Sequence, residues 1–213
     1  EEFAPESHRS SQLRFHTQTS GVTLTAQQPM NNAVRVAYQA LAAVMGGTQS
    51  LHTNSFDEAL GLPTEDSARI ALRTQQIIAE ESGVTSFVDP LGGSEAVEST
   101  TDELLEKARK TILEIDSMGG AMECVKAGMQ QRIIHESAWE QLSRVENGDE
   151  LVVGVNSHVD EMLPDFEGMV IKPEDEMEKL SGLKSIRESR DDKKVQEELE
   201  DLRESCRNGS NVM

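Results

Sequence analysis

Apolar positions along the first two thirds of the chain alternate between short strand-like runs and stripes at helical spacing. LRFHTQTSG, over Leu13–Gly21, reads as a short strand ending in a polar turn. Pro29 then opens a helix at a position where its missing N–H does no harm. Met30, Val34, Ala37, Leu41 and Val44 space one stripe along that helix, and Gly46-Gly47 close it. A second strand is expected over Thr48–Asn54, followed by a helix N-capped by Thr64 that runs through SARIALRTQQIIAEES to Gly83. Thr85–Asp89 reads as a third strand, broken by Pro90 and the Gly92-Gly93 pair. Thr100 and Glu103 have capping-box spacing ahead of Leu104, Leu105, Ala108, Ile112, Ile115 and Met118, and Gly119-Gly120 stop that helix. Further helix is expected over 120–128 and 131–147. After a turn at Gly148-Asp149, ELVVGVN reads as one more strand.

Strand and helix in alternation predict parallel βα units. Three to four such units fit a small doubly wound sheet, or part of a (β/α)8 barrel whose whole takes about 250 residues. No GxGxxG or GxxxxGK follows a strand, which argues against a nucleotide-binding sheet. Beyond about residue 157 the apolar periodicity thins and charge crowds into EDEME, RDDKK and EELEDLRES, with a helix expected near 188–206. The expected division is therefore 1–156, the α/β part, and 157–213, an acidic extended and helical arm.

Composition adds two constraints. Hydrophobic residues make up 36% and aromatics 3% of the 213 residues, with nine Met, so the core is aliphatic rather than ring-based. Thirty-nine acids against twenty bases give a net charge of -19, a surface that repels nucleic acid and anionic membranes. Such a surface also suits high salt, although a solvated acidic tail accounts for the same residues. No apolar run approaches the roughly 18 residues of a membrane span, and no basic, apolar leader is seen. Cys124 and Cys206 are far apart without metal-ligand spacing, so free thiols in a cytoplasmic setting are expected.

The polar residues at the strand ends carry the candidate chemistry. His16, Gln18, Thr19, Ser20 and Gly21 follow the first strand; Thr48, Gln49, Ser50, His52, Thr53 and Asn54, then Asp57 and Glu58, accompany the second. Hydrogen-bonding side chains at the C-terminal ends of parallel strands are what a barrel site uses. Strand alternation puts His16 with Gln18 on one face, and Gln49 with Leu51 and Thr53. Taken singly, each has a plain structural role: a buried histidine bonded to backbone, glutamines that fasten loops, a first-turn carboxylate at Glu58, a turn glycine at Gly21. GxSxG, HExxH and CxxC do not occur, and His16 and His52 lack a third metal ligand. Neither a basic patch nor an aromatic platform for nucleic acid is present.

RFHTQTSGVTLTAQQPMNNAVRVAYQALAAVMGGTQSLHTNSFDEALGLPTEDSARIALRTQQIIAEESGV resembles the mutase domain of methylmalonyl-CoA mutases, and VDPLGGS, EIDSMGGAM and VVGVN continue the likeness in order. It covers Ser10 to Asn156 strongly and the acidic arm loosely. The resemblance implies an α/β fold: the C-terminal part of a substrate-binding (β/α)8 TIM barrel, three to four βα units long, with a mostly helical acidic arm. It also implies an adenosylcobalamin-dependent radical isomerase, an intramolecular transferase that rearranges the carbon skeleton of an acyl-CoA of the methylmalonyl-to-succinyl type. By this likeness Gln18, Gly21, Glu58, Ala59 and Gly61 fall on the cofactor side. Gly21 would leave room for the corrin and Glu58 would hydrogen-bond the adenosyl ribose, while Gly61 stands where relatives often carry Ala. His16, Gln49 and Ser50, with Gln18 beside them, fall on the acyl-CoA side. No catalytic residue and no metal ligand is assigned.

The family's substrate-gripping Tyr and Arg and its DxHxxG lower-ligand motif belong to segments outside these strings. The expected partners are therefore an acyl-CoA, an N-terminal barrel half and a cobalamin-binding domain or subunit, in an oligomer, with no nucleic acid and no membrane. On its own the chain is expected to be inactive. Because CoA is itself an anion, its site has to concentrate positive groups locally against the -19 field. Glu95 and Ala96 stand where the family usually carries an aromatic pair after GGS. The alternative is a non-catalytic relative that serves as a binding partner or scaffold; intact TQSLHTN and DEALGLP favour the enzyme.

Overall fold

A computed structural model describes residues 6–160, 169 and 172–212. The chain divides into two compact units, Glu1–Met169 and Val170–Met213.

In the first unit, a single turn α1 (His8–Ser11) precedes β1 (His16–Gln18), α2 (Asn31–Met45), β2 (Ser50–His52) and α3 (Glu65–Glu81). β1 and β2 pair in parallel with His16 opposite Ser50, Thr17 opposite Leu51 and Gln18 opposite His52. Gln49 N–H to Phe15 O at 3.3 Å and Thr19 N–H to His52 O at 3.0 Å extend the pairing by one bond at each end. A helix is the connection a parallel pair requires, and α2 supplies it. Among the described residues the chain is thus mostly helical with a small parallel sheet, of two βα units where three to four were expected.

The two other expected strands form local turns instead. Within Thr85–Asp89, residues Val84–Ser86 make a 3-10 turn, and Asp89 takes φ 53, a left-handed conformation that interrupts an extended run. Phe87 and Val88 stand 71% and 99% exposed, and among the described residues no strand pairs with them. In ELVVGVN the Asn156 side chain takes the backbone groups a ladder would use: it accepts from Val152 N–H and donates to Val145 O and Glu150 O, each at 2.7 Å. Only an isolated bridge between Val153 and Ser157 remains.

Packing of α2 on α3 and on β2 organises this unit, with Val36, Ala40, Ala71 and Ile78 buried. The buried face of α2 is not the apolar stripe read from the sequence. Asn32, Val36 and Ala40 are inside, whereas Met30 and Val34 are exposed. Asn32 can lead a buried face because its amide is satisfied: Nδ2 donates to Thr25 O and Phe56 O, both at 2.8 Å, and Oδ1 accepts from Thr25 N–H at 3.1 Å. Arg35 reinforces the corner, donating to Asn32 Oδ1 at 2.7 Å and across to Val153 O at 2.7 Å.

α4 (Glu95–Ser117), α5 (Ala121–Lys126) and α6 (Met129–Asn147) follow. α4 starts before the expected capping box, behind Ser94 as N-cap residue, so Thr100 and Thr101 lie inside it with their hydroxyls returned to Ala96 O and Val97 O. Gly148, at φ 77, ends α6 as a left-handed C-cap that few other residues adopt without strain. The second unit carries α7 (Pro173–Ser189) and α8 (Asp192–Arg207). The helix expected near 188–206 is α8, started at Asp191, whose carboxylate accepts from Lys193 and Lys194 N–H at 3.0 and 3.1 Å, and α7 precedes it as a further helix. Among the described residues no helix is long and apolar enough to cross a membrane.

Candidate functional site

Parallel pairing brings the C-terminal ends of β1 and β2 to one edge, and the segments leaving both strands are fastened together there. Asn54, buried two residues beyond β2, is the fastener. Its Oδ1 accepts from Gln18 Nε2 at 3.0 Å, its Nδ2 donates to Thr19 O at 3.0 Å, and its N–H donates to Thr19 Oγ1 at 2.9 Å.

Residues 55–61 form a tight turn on this base. Glu58 N–H donates to Ser55 O at 3.2 Å, while Leu60 and Gly61 N–H donate to Asp57 O at 2.8 and 3.2 Å. Asp57 is fully buried, and its Oδ2 accepts from Thr64 N–H at 3.1 Å and Thr64 Oγ1 at 3.3 Å. Thr64 in turn N-caps α3 through Ser67 N–H at 3.2 Å, as its sequence position predicts. Burial alone would push the Asp57 carboxyl up. The nearby Ser67 and Ser55 hydroxyls and the Thr64 N–H outweigh that, holding it below its ordinary value and therefore ionised at neutral pH. Among the described residues its other oxygen, Oδ1, has no partner at hydrogen-bond geometry.

Asp57 thus anchors the turn from inside, and Glu58, the next residue, is left exposed at its crest. The Glu58 carboxylate lies over Gly21: a methyl at position 21 would come within 2.6 Å of Glu58 Oε1 and 3.1 Å of Asn54 Nδ2. A cavity of about 540 Å³ opens beside it, lined among others by Gln18, His52, Glu58, Gly61 and Gln75. Gln75 of α3 donates to Thr53 Oγ1 at 2.9 Å, tying the helix to the end of β2. A Cβ at Gly61 would meet nothing within 4 Å, so this position has room for alanine. Ala59 is exposed on the same turn.

The structure therefore gathers Gln18, Gly21, Glu58 and Gly61 at one edge. The residues placed on the acyl-CoA side are arranged differently. His16 Nδ1 and Ser50 Oγ, cross-strand partners in register, are 2.7 Å apart, so His16 is bonded to a side chain and exposed rather than buried against backbone. Gln49 turns away from both groups. Its Oε1 accepts from Phe15 N–H at 2.8 Å and its Nε2 donates to Gly47 O at 2.6 Å, so in this chain it fastens the start of the strands. Ser50 and Gln49 border a second cavity of about 340 Å³ beside β2 and α3. Asn54 and His52 carry no assigned role in the sequence reading although both stand at this edge. The signal for Asn54 was its place four residues before Glu58 in TNSFDE.

The family model described as Methylmalonyl-CoA mutase matches residues 1–213. The chain is 47% identical over 214 residues to the probable methylmalonyl-CoA mutase, mitochondrial, of Caenorhabditis elegans, covering 100% of this chain and 29% of that protein. It is 45% identical over 212 residues to the methylmalonyl-CoA mutase of Rhizobium meliloti (strain 1021), covering 98% and 30%. With the methylmalonyl-CoA mutase of Escherichia coli (strain K12) the identity is 43% over 216 residues, covering 99% and 30%. The chain thus spans under a third of the length of the curated relatives it matches.

Proposed function

The chain belongs to the methylmalonyl-CoA mutase family, and from that premise we propose that it forms the C-terminal part of a mutase's substrate-binding (β/α)8 barrel, working in the isomerisation of methylmalonyl-CoA to succinyl-CoA with adenosylcobalamin. In this reading residues 1–156 contribute to the barrel and 157–213 form an arm. An N-terminal barrel half and a cobalamin-binding domain complete the site, in an oligomer. Free thiols at buried Cys124 and exposed Cys206 suit a reducing compartment, the cytoplasm in this proposal; the Caenorhabditis elegans relative is named as mitochondrial.

One observation carries the proposal: the carboxylate of Glu58 and the amide of Gln18 border one cavity at the C-terminal ends of two parallel strands, the edge where barrel enzymes bind ligand. This donor set fits the adenosyl group. An exposed carboxylate accepts from a ribose diol, and the small residues Ala59 and Gly61 leave the approach open. When bound, the cofactor supplies the radical chemistry. The contribution of these residues is to bind and orient: Glu58 accepts the ribose hydroxyls, Gln18 and Asn54 fix the geometry beneath, and the His16–Ser50 pair presents polar groups along the strands toward the acyl-CoA. A scaffold role is the weaker reading, because the family match runs over the whole chain and TQSLHTN and DEALGLP are intact.

The test is a chimaera of the Escherichia coli methylmalonyl-CoA mutase in which this chain replaces the matched segment. It is expected to isomerise methylmalonyl-CoA, with Glu58→Gln lowering kcat/KM about tenfold or more, the scale of a lost hydrogen bond to a charged group. A folded chimaera that binds both ligands yet does not turn over, or that is indifferent to Glu58→Gln, contradicts the proposal.

A further inference from the structure

The family likeness implies that Gly21 leaves room for the corrin; its surroundings in this chain offer another reason for glycine. What a side chain at position 21 would meet is this chain's own pair of site residues, Glu58 Oε1 at 2.6 Å and Asn54 Nδ2 at 3.1 Å. The two neighbours differ in freedom. Asn54 is 2% exposed and held by three hydrogen bonds to Gln18 and Thr19, so it cannot withdraw without breaking the link between the strand ends. Glu58 is exposed, and only its backbone is fixed by the turn. A methyl at 21 is therefore accommodated by moving the Glu58 carboxylate, which costs the fold little and displaces the carboxylate offered to the ligand. Nor does the backbone call for glycine there, since Gly21 is not among the residues at positive φ.

We infer that Gly21 is a positioning residue whose lack of a side chain sets where the Glu58 carboxylate stands, and that it acts through Glu58 rather than by direct clearance of the cofactor. The inference rests on the proposed role of Glu58 and adds a size relation between positions 21 and 58. In the chimaera, Gly21→Ala weakens adenosylcobalamin binding about tenfold, as the loss or misdirection of a charged hydrogen bond does, while the melting temperature stays within the error of the parent. Because the methyl and the carboxylate compete for one space, Glu58→Asp, which retracts the carboxylate by one methylene, removes most of the additional loss caused by Gly21→Ala.

The experiment is a double-mutant cycle of cofactor affinity over parent, Gly21→Ala, Glu58→Asp and the double variant, with Glu58→Gln alongside. The carboxyl-carbon NMR signal of Glu58 is followed in the 213-residue chain itself. Loss with Gly21→Ala, little further loss from it in the Glu58→Asp background, and a shifted Glu58 signal support the inference. Additive losses mean that Gly21 clears the cofactor directly and overturn it. No loss with Gly21→Ala, while Glu58→Gln does weaken binding, overturns it and leaves the role of Glu58 standing. Indifference to Glu58→Gln removes both.

Discussion

The segment His16–Glu81 and the segment Glu95–Asn147 use apolar residues in opposite ways. In the first, two helices and two short strands bury Val36, Ala40, Ala71 and Ile78 together with the polar groups Asn32, Asn54, Asp57 and Ser67. In the second, three helices bury only Cys124 and Met129 among their described residues, while Leu104, Ile112 and Trp139 stand 60%, 57% and 69% exposed. Polar residues therefore close the segment that carries the site, and an apolar surface is left open on the segment that does not. The exposed apolar faces of α4 and α6 are the surfaces that the proposed N-terminal barrel half would cover.

Paired truncations break this comparison most sharply. Ile78→Ala, in the buried α3 face, is expected to destabilise the chain by about 2–5 kcal/mol. Ile112→Ala, on α4, is expected to change stability by no more than about 0.5 kcal/mol. Urea unfolding of both variants checks the pair. In the chimaera the gap is expected to narrow, because a covered Ile112 then carries a cavity cost of its own. Equal costs in the isolated chain would mean that α4 is already packed there.

A smaller effect concerns the buried anchor. The folded-state value of Asp57 lies below its ordinary 3.8, so its contribution to stability is fully present above that value and is lost as pH falls through the lower folded one. Asp57→Asn is expected to cost on the order of 1–2 kcal/mol at neutral pH and to flatten the acid limb of the stability profile below about pH 4. An unchanged acid limb would show that other carboxylates govern it.

Much of the first segment was legible before the structure. Pro29, the Gly46-Gly47 pair and the Thr64 cap bracket α2 and α3 through local chemistry that does not depend on the rest of the fold. The buried face of α2 was not legible, because counting apolar residues cannot anticipate that Asn32 goes inside with its amide fully bonded. Strand-like composition misled at Thr85–Asp89 and at ELVVGVN for a related reason: a strand is a pairing, and the Asn156 amide already holds the backbone there. Within the site, the strand-end position of Gln18 was legible in the sequence, whereas the roles proposed for Gln18 and Glu58 came from the family likeness. Gln49 has the same composition signal, yet its amide turns back onto Phe15 and Gly47, which only three-dimensional geometry reveals. The role of Asn54 and the Gly21–Glu58 contact required the register of β1 against β2.

The central claim is that the edge formed by Gln18, Asn54 and Glu58 faces the adenosyl group of the cofactor. A crystal structure of the chimaera with adenosylcobalamin bound tests it most directly. The account predicts a Glu58 carboxylate oxygen within hydrogen-bond distance of a ribose hydroxyl, about 2.5–3.0 Å, with Gln18 and Asn54 still bonded beneath it. A cofactor bound with its ribose held by other residues, and with the Glu58 carboxylate turned to solvent, would contradict the account.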